Sequence, residues 1–395
     1  MTQRIYLDHA ATRFPKPAVV LDAMRSYSQT EEAAAGRGAY RRSQEASQFI
    51  WRLRREIAEW IDAESEHEIS LHSGGTAALN AAILGYLQPG DHVVTTAAEH
   101  NSVLRPLHHL AGQGTIQWTV VPVDASGRVE PTELLSAVRS DTRMVAVLHA
   151  GNVNGIVQPI REIGTRLREE HRGDHKPAFL CDAAQTFGHL PLSVRQCHID
   201  LLAAPGHKGG CGPLGTGFLY ASLNVHAHLR PTLFGGTGNN SESLDMPLEY
   251  PIALEAGNMN VPALVGWLAG LQDRRSETPA AEHLEASSAR LRGLAQRLYR
   301  ELHEIPGIRL IGQPEHVQLP VASLCIDGIA AGELAMILDT EFGIEVRSGL
   351  HCAALIHAAL QSPDDGTLRI SCGEETSDEE LRRLVDALRE ITAGD

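Results

Sequence analysis

Apolar residues recur at helical spacing through Phe49, Ile50, Leu53, Ile57 and Trp60, which predicts a helix over 45–61. A short apolar run at 68–71 reads as a strand, followed by Ser73-Gly74-Gly75-Thr76 and a helix-like segment over 77–87. Strand-like runs follow at 92–96, 117–123, 144–149 and 178–182, with two more at 201–204 and 217–220. Helical stretches at 102–110, 131–138 and 159–170 lie between several of them. Alternating strands and helices predict an α/β fold with a mostly parallel sheet covered on both faces. Active residues in such sheets gather at the carboxyl ends of the strands.

The pattern changes after Leu271. A long polar helix is predicted over 279–302, with Leu284, Leu291, Leu294, Leu298 and Leu302 on its apolar side. Strands at 308–311 and 321–326, a helix at 331–342, strands at 344–346 and 368–371 and a last helix complete an α+β unit. Ser377 and Glu380 form a capping box at the start of that last helix. The expected division is a large unit over 16–275 and a smaller C-terminal unit over 276–395, with residues 1–15 packed on the smaller one.

With 395 residues the chain is longer than one ordinary core, which agrees with two units. A net charge of −15 argues against nucleic acid or an anionic membrane as the main partner. No run approaches the length of a membrane span, and MTQRIYLDHAATRFPKP has no apolar export signal. A cytoplasmic protein is therefore expected. Its six cysteines form no C-x-x-C pair, so they are expected to be reduced and to bind no metal.

Lysine usage narrows the chemistry. Of the 34 basic residues only Lys16, Lys176 and Lys208 are lysines. Lys16 sits between two prolines and reads as a turn residue; Lys176 lies in a charged, solvated stretch. Lys208 lies in the nearly uncharged, glycine-rich segment Ala204-Pro205-Gly206-His207-Lys208-Gly209-Gly210. A lysine desolvated there has a lowered pKa and can form a Schiff base. Asp182 ends an apolar strand, where a carboxylate can face a positive ring nitrogen or simply cap the next segment. Gly75 and Thr76 open a helix whose free N–H groups suit an anion, although a plain helix cap reads the same way. An amine, an acidic partner and a phosphate cradle together are what pyridoxal 5′-phosphate requires.

These motifs and their spacing resemble aminotransferase class V, the fold-type I pyridoxal-phosphate enzymes, and within it the cysteine desulfurase and selenocysteine lyase branch. The resemblance runs from YLDHAAT to RISCGEETSDEE and includes Arg347-Ser348-Gly349-Leu350-His351-Cys352-Ala353. It implies a seven-stranded sheet in the large unit, and it implies roles for particular residues. Lys208 would carry the cofactor, Asp182 would pair with its ring nitrogen and Gln185 would bond the ring hydroxyl. His100 would stack on the ring and assist proton transfer. Gly75, Thr76 and His207 would bind phosphate. Asn152 would lie near the substrate carboxylate and Arg369 would pair with it, and Arg347 would also bind the substrate. Cys352 would take sulfur from L-cysteine.

Two departures from the family pattern stand out. Pro205 replaces a usual serine or threonine, and Asn258 stands where relatives place a phosphate-binding threonine that arrives from the neighbouring subunit. The polar stretch 235–243 matches a region that crosses to the partner, so a homodimer is implied. Arg369 lies seventeen positions after Cys352, which resembles the branch with a short cysteine loop and implies a separate sulfur-acceptor protein. Two other readings stay open at this point. One is a carbon–sulfur or selenocysteine lyase that does not use Cys352; the other is a cofactor-free scaffold protein.

Overall fold

The computed structural model describes residues 4–36, 38–170, 176–238, 242–312 and 317–394. The strands in chain order are β1 (Ile5–Tyr6), β2 (Ile69–His72), β3 (His92–Thr96), β4 (Gln117–Val121), β5 (Thr142–Leu148), β6 (Ala178–Asp182) and β7 (Leu201–Pro205). They continue as β8 (Gly217–Ala221), β9 (Ile308–Ile311), β10 (Val321–Ile326), β11 (Ile344–Glu345), β12 (Arg347–Gly349) and β13 (Thr367–Ser371). The helices are α1 (Ala18–Thr30), α2 (Arg41–Trp60), α3 (Gly75–Tyr86), α4 (Asn101–Gly112), α5 (Pro131–Ser136) and α6 (Ile160–Glu170). After them come α7 (Leu223–His226), α8 (Val261–Arg275), α9 (Ala280–His303), α10 (Ala331–Phe342), α11 (Ile356–Ala359) and α12 (Asp378–Ala393).

Seven strands form one sheet in the order β2-β8-β7-β6-β5-β3-β4. Strands β3 to β7 run parallel, and β8 runs antiparallel to both its neighbours. Strands β3, β6, β7 and β8 are buried at every position, as expected when helices cover both faces. Alternate side chains serve opposite cores. Phe179 and Cys181 of β6 pack with Leu53, Ile57 and Trp267 on one face, whereas Ala178 and Leu180 pack with Leu79, Ile83 and Val103 on the other.

A second, antiparallel sheet has the order β12-β13-β10-β9 and shares a separate core with α9, α10 and α12. The chain start joins that core: β1 pairs in parallel with β11, and Ile5 and Leu7 are buried there. The expected capping box closes on α12, where Ser377 accepts from the Glu380 N–H and the Glu380 side chain accepts from Ser377. Helices α1 and α8, and the single turns α7 and α11, have no counterpart in the sequence pattern. Helix α8 packs on both α1 and α2 and buries nearly its whole first three turns, so it carries no amphipathic period to read.

Candidate active site

The carboxyl ends of β3, β5, β6 and β7 open beneath β13, and a cavity of about 220 Å³ lies between them. Gly75, Thr76, His100, Asn152, Asp182, Gln185, His207, Lys208, Arg347 and Arg369 all line it. Sequence positions almost 300 residues apart thus meet in one space.

Lys208 follows β7 on a loop that the glycines make possible. A Cβ on Gly206 or Gly212 would stand 2.7 Å from the Trp267 ring, so the buried indole can lie flat against bare backbone. The loop is closed by Gly206 N–H donating to the Thr216 carbonyl at 2.8 Å and Gly212 N–H to the Gly206 carbonyl at 2.7 Å. Burial pushes the Lys208 amine down to about 8, against the pull of Asp182. Asp182 is the last residue of β6; its Oδ1 accepts the Ala184 N–H at 2.9 Å. Burial raises its carboxyl, and the Lys208 charge works against that. Gln185 donates from Nε2 to the Ala10 carbonyl at 3.1 Å, tying the chain start to the cavity wall.

The N-terminus of α3 also opens on the cavity. Its N-cap, Gly74, supplies no side-chain cap, so the first-turn N–H groups are left for another acceptor. Thr76 Oγ1 lies 2.8 Å from Ser102 Oγ, and His207 Nδ1 is buried without a partner. Pro205 packs against Gly75, with 3.0 Å between its Cδ and the place a Cβ would take. Ser102, whose hydroxyl lies 2.8 Å from that of Thr76, also lines the cavity and was not singled out from the sequence. The signal was its place two residues after His100, at a helix start.

His100 is the N-cap of α4, and its Nδ1 accepts the Ser102 N–H at 3.0 Å. Burial, reinforced by the Lys208 charge, pushes it down to about 4. A neutral ring that accepts at Nδ1 carries its proton on Nε2.

Arg369, on β13, is 1% exposed. Its Nη2 pairs with Asp8, its Nη1 donates to the Asn152 carbonyl at 3.1 Å, and its Nε has no partner. Asn152 directs its own amide to the His351 carbonyl at 2.6 Å. His351 also lines the cavity, with Nε2 on Thr367 Oγ1 at 2.9 Å and Nδ1 unpartnered. Neither Asp8 nor His351 was assigned a role from the sequence.

Cys352 does not line the cavity itself. It is exposed at the rim, and Arg347 Nη2 donates to its Sγ at 3.5 Å. His351 and Cys352 have φ values of 49° and 58°, a left-handed pair that turns the chain outward. Asn258 is exposed and lines a different depression in its own chain, with His72, Ser73 and Leu233. Of the polar stretch 235–243, Asn239, Asn240 and Ser241 lie outside the described residues. Lys16 is more than a turn residue. Its Nζ donates to the His207 carbonyl at 2.5 Å, and burial pushes it down to about 8, but it does not line the cavity.

The donor set fits pyridoxal 5′-phosphate. An uncapped helix start and an unpartnered imidazole nitrogen suit its phosphate, Asp182 suits its ring nitrogen, and Lys208 suits its aldehyde. Among the described residues no helix is long and apolar enough to cross a membrane.

Comparison with known proteins gives a consistent result. The family model for aminotransferase class-V matches residues 5–384. A probable cysteine desulfurase of Methanothermobacter thermautotrophicus is 34% identical, covering 99% of this chain and 95% of that protein. A putative cysteine desulfurase, IscS 1, of Bacillus subtilis is 33% identical, covering 99% and 100%. Among solved structures, the apo cysteine desulfurase of Thermococcus onnurineus superposes with a TM-score of 0.87 at 28% identity, covering 99% of this chain and 95% of that one.

Proposed function

Because the chain belongs to the aminotransferase class-V family and has the fold-type I architecture of its cysteine desulfurase members, we propose that it takes sulfur from L-cysteine, leaving L-alanine and a persulfide on Cys352. One observation carries this reading. A buried lysine of lowered pKa faces Asp182 inside a cavity, and at the rim of that cavity an exposed free cysteine is held by Arg347.

Lys208, Asp182, Gln185, His100, Gly75, Thr76 and His207, with Asn258 from a second copy, would hold pyridoxal 5′-phosphate, whose ring when bound supplies an electron sink for the substrate carbons. The Lys208 amine, brought to about 8, is partly unprotonated near neutral pH, so Nζ can take the proton from the substrate Cα. Arg369 would hold the substrate carboxylate through its unpartnered Nε, beside Asn152. His100, with its proton on Nε2, can donate to the substrate and take the proton back. The Cys352 thiolate attacks the substrate sulfur. A sulfur–sulfur bond forms and the carbon–sulfur bond breaks; its electron pair stays on carbon, and a proton makes that carbon the methyl group of alanine.

In this reading residues 16–275 form the cofactor-holding unit, and 276–395, with 1–15 packed on it, the unit that brings Cys352 and Arg369. The exposed Leu233 and Phe234 beside the Asn258 depression suit contact with a second copy. The persulfide then passes to a separate acceptor protein in the cytoplasm.

Mass spectrometry after turnover should find one added sulfur on the peptide that contains Cys352. Cys352→Ala should bind cofactor and L-cysteine yet release no sulfide. A mutant that desulfurates L-cysteine at the wild-type rate would establish the lyase reading instead. A purified protein that stays colourless with added pyridoxal phosphate would establish the scaffold.

A further inference from the structure

Below the cavity floor lies a carboxyl group that the chemistry above leaves unused. Glu99 directly precedes His100 and has no exposed surface. Its Oε1 accepts the Leu148 N–H at 3.0 Å and the Thr96 hydroxyl at 2.7 Å. Its Oε2 is buried with no hydrogen-bond partner. Leu148 ends β5 and pairs in register with Asp182 on β6, so Glu99 is clamped to the strand beside the one that presents the floor carboxylate.

Among the described residues, the surroundings supply no compensating cation. From β6, Asp182 and Cys181 are the titratable groups that couple to Glu99. The end of β5 contributes a backbone N–H. The end of β3 contributes the Thr96 hydroxyl, and the loop after it His100, whose ring lines the cavity and is neutral. No ion pair involves Glu99 among the described residues. An ionised Glu99 would therefore set a second buried negative charge, with one bare oxygen, next to Asp182. Burying such a charge unpaired is costly, and a carboxyl so placed keeps its proton. Burial, helped by Asp182, pushes Glu99 up to about 8.

We propose that Glu99 works as an uncharged carboxylic acid and is a positioning residue: it ties the turn that carries His100 to the end of β5 and leaves Asp182 as the single anion of the cavity floor. The arrangement divides two neighbouring carboxyl groups between two tasks. Asp182 faces the cavity and carries charge when a cation is there to meet it. Glu99 faces away and carries only hydrogen bonds. The inference rests on the desulfurase reading for its kinetic part and on geometry alone for its protonation part.

Glu99→Gln keeps an oxygen acceptor for Leu148 and Thr96 and cannot ionise, so kcat at pH 7 should stay within about twofold of wild type. Glu99→Ala removes the acceptor and frees the His100 turn, and kcat should fall by roughly tenfold or more with less change in KM. The infrared spectrum of the protein without cofactor supplies the second readout. A protonated-carboxyl C=O band should be present at pH 7, titrate away around pH 8 and be missing in Glu99→Gln. Two results would overturn the proposal: no band that Glu99→Gln removes, or a Glu99→Gln enzyme as slow as Glu99→Ala, which would mean the negative charge is required. If the wild type had no desulfurase activity at all, the infrared result would still decide the protonation state.

Discussion

Two lysines, Lys208 and Lys16, have amines that burial brings to about 8, and only Lys208 reaches the cavity. Lysine→alanine exchange therefore separates them. Lys208→Ala should abolish turnover and remove the site at which borohydride fixes the cofactor, while circular dichroism stays that of the folded protein. Lys16→Ala should leave the fixed cofactor on Lys208. Peptide mapping checks both, and cofactor found on Lys16 would refute the assignment. Lys208 stood out in the sequence because lysine is scarce and its neighbours carry almost no charge. Asp182, His100 and Arg369 stood out through motif and spacing. Ser102, His351 and Asp8 did not, because their contacts are made only when α4 meets α3, the loop after β12 meets the turn after β5, and the chain start meets β13.

At the scale of elements, the turn after β5 shows how one backbone position governs several side chains. Gly155 has φ +67°, and a Cβ there would sit 2.5 Å from the Leu319 carbonyl. Gly155→Ala must move the turn, which carries the Asn152 carbonyl that Arg369 holds. Steady-state kinetics should show KM for L-cysteine rising about tenfold with a smaller loss in kcat. Thermal unfolding should show a loss of about 1–2 kcal/mol. A lowered Tm with an unchanged KM would leave the turn a purely structural part. Strands such as β6 and β7 were readable because buried parallel strands are short apolar runs between turn signals. Strand β12 was not: Arg347-Ser348-Gly349 has no apolar residue and exists through its pairing with β13. Helix α1 is weakly patterned, burying only Val20 and Tyr27, and it owes its place to packing on α8.

For the molecule as a whole, the segment from Ile5 to Ala11 binds the two cores together. Leu7 is fully buried with Leu368 and Ile370 in the smaller core, while Ala10 and Ala11 line the cavity and Gln185 grips the Ala10 carbonyl. Leu7→Ala should cost about 2–5 kcal/mol in urea unfolding and also weaken cofactor retention, because the cavity wall begins three residues later. A loss of stability with cofactor affinity intact would show that the segment anchors only the smaller core. The rim of the cavity has a different reach. Six residues join the end of β12 at Gly349 to the start of α11 at Ile356, and the middle of that span is pinned. The Asn101 N–H holds the Cys352 carbonyl at 2.7 Å, and the Asn152 amide holds that of His351. A chain extends by at most about 3.5 Å per residue, so a tether fixed this close to its cargo has almost no slack. Sulfur loaded on Cys352 would wait on the doorstep for collection. The choice of recipient would then fall to the visitor's contour: a thiol that stands proud would be served there, and a recessed one would not.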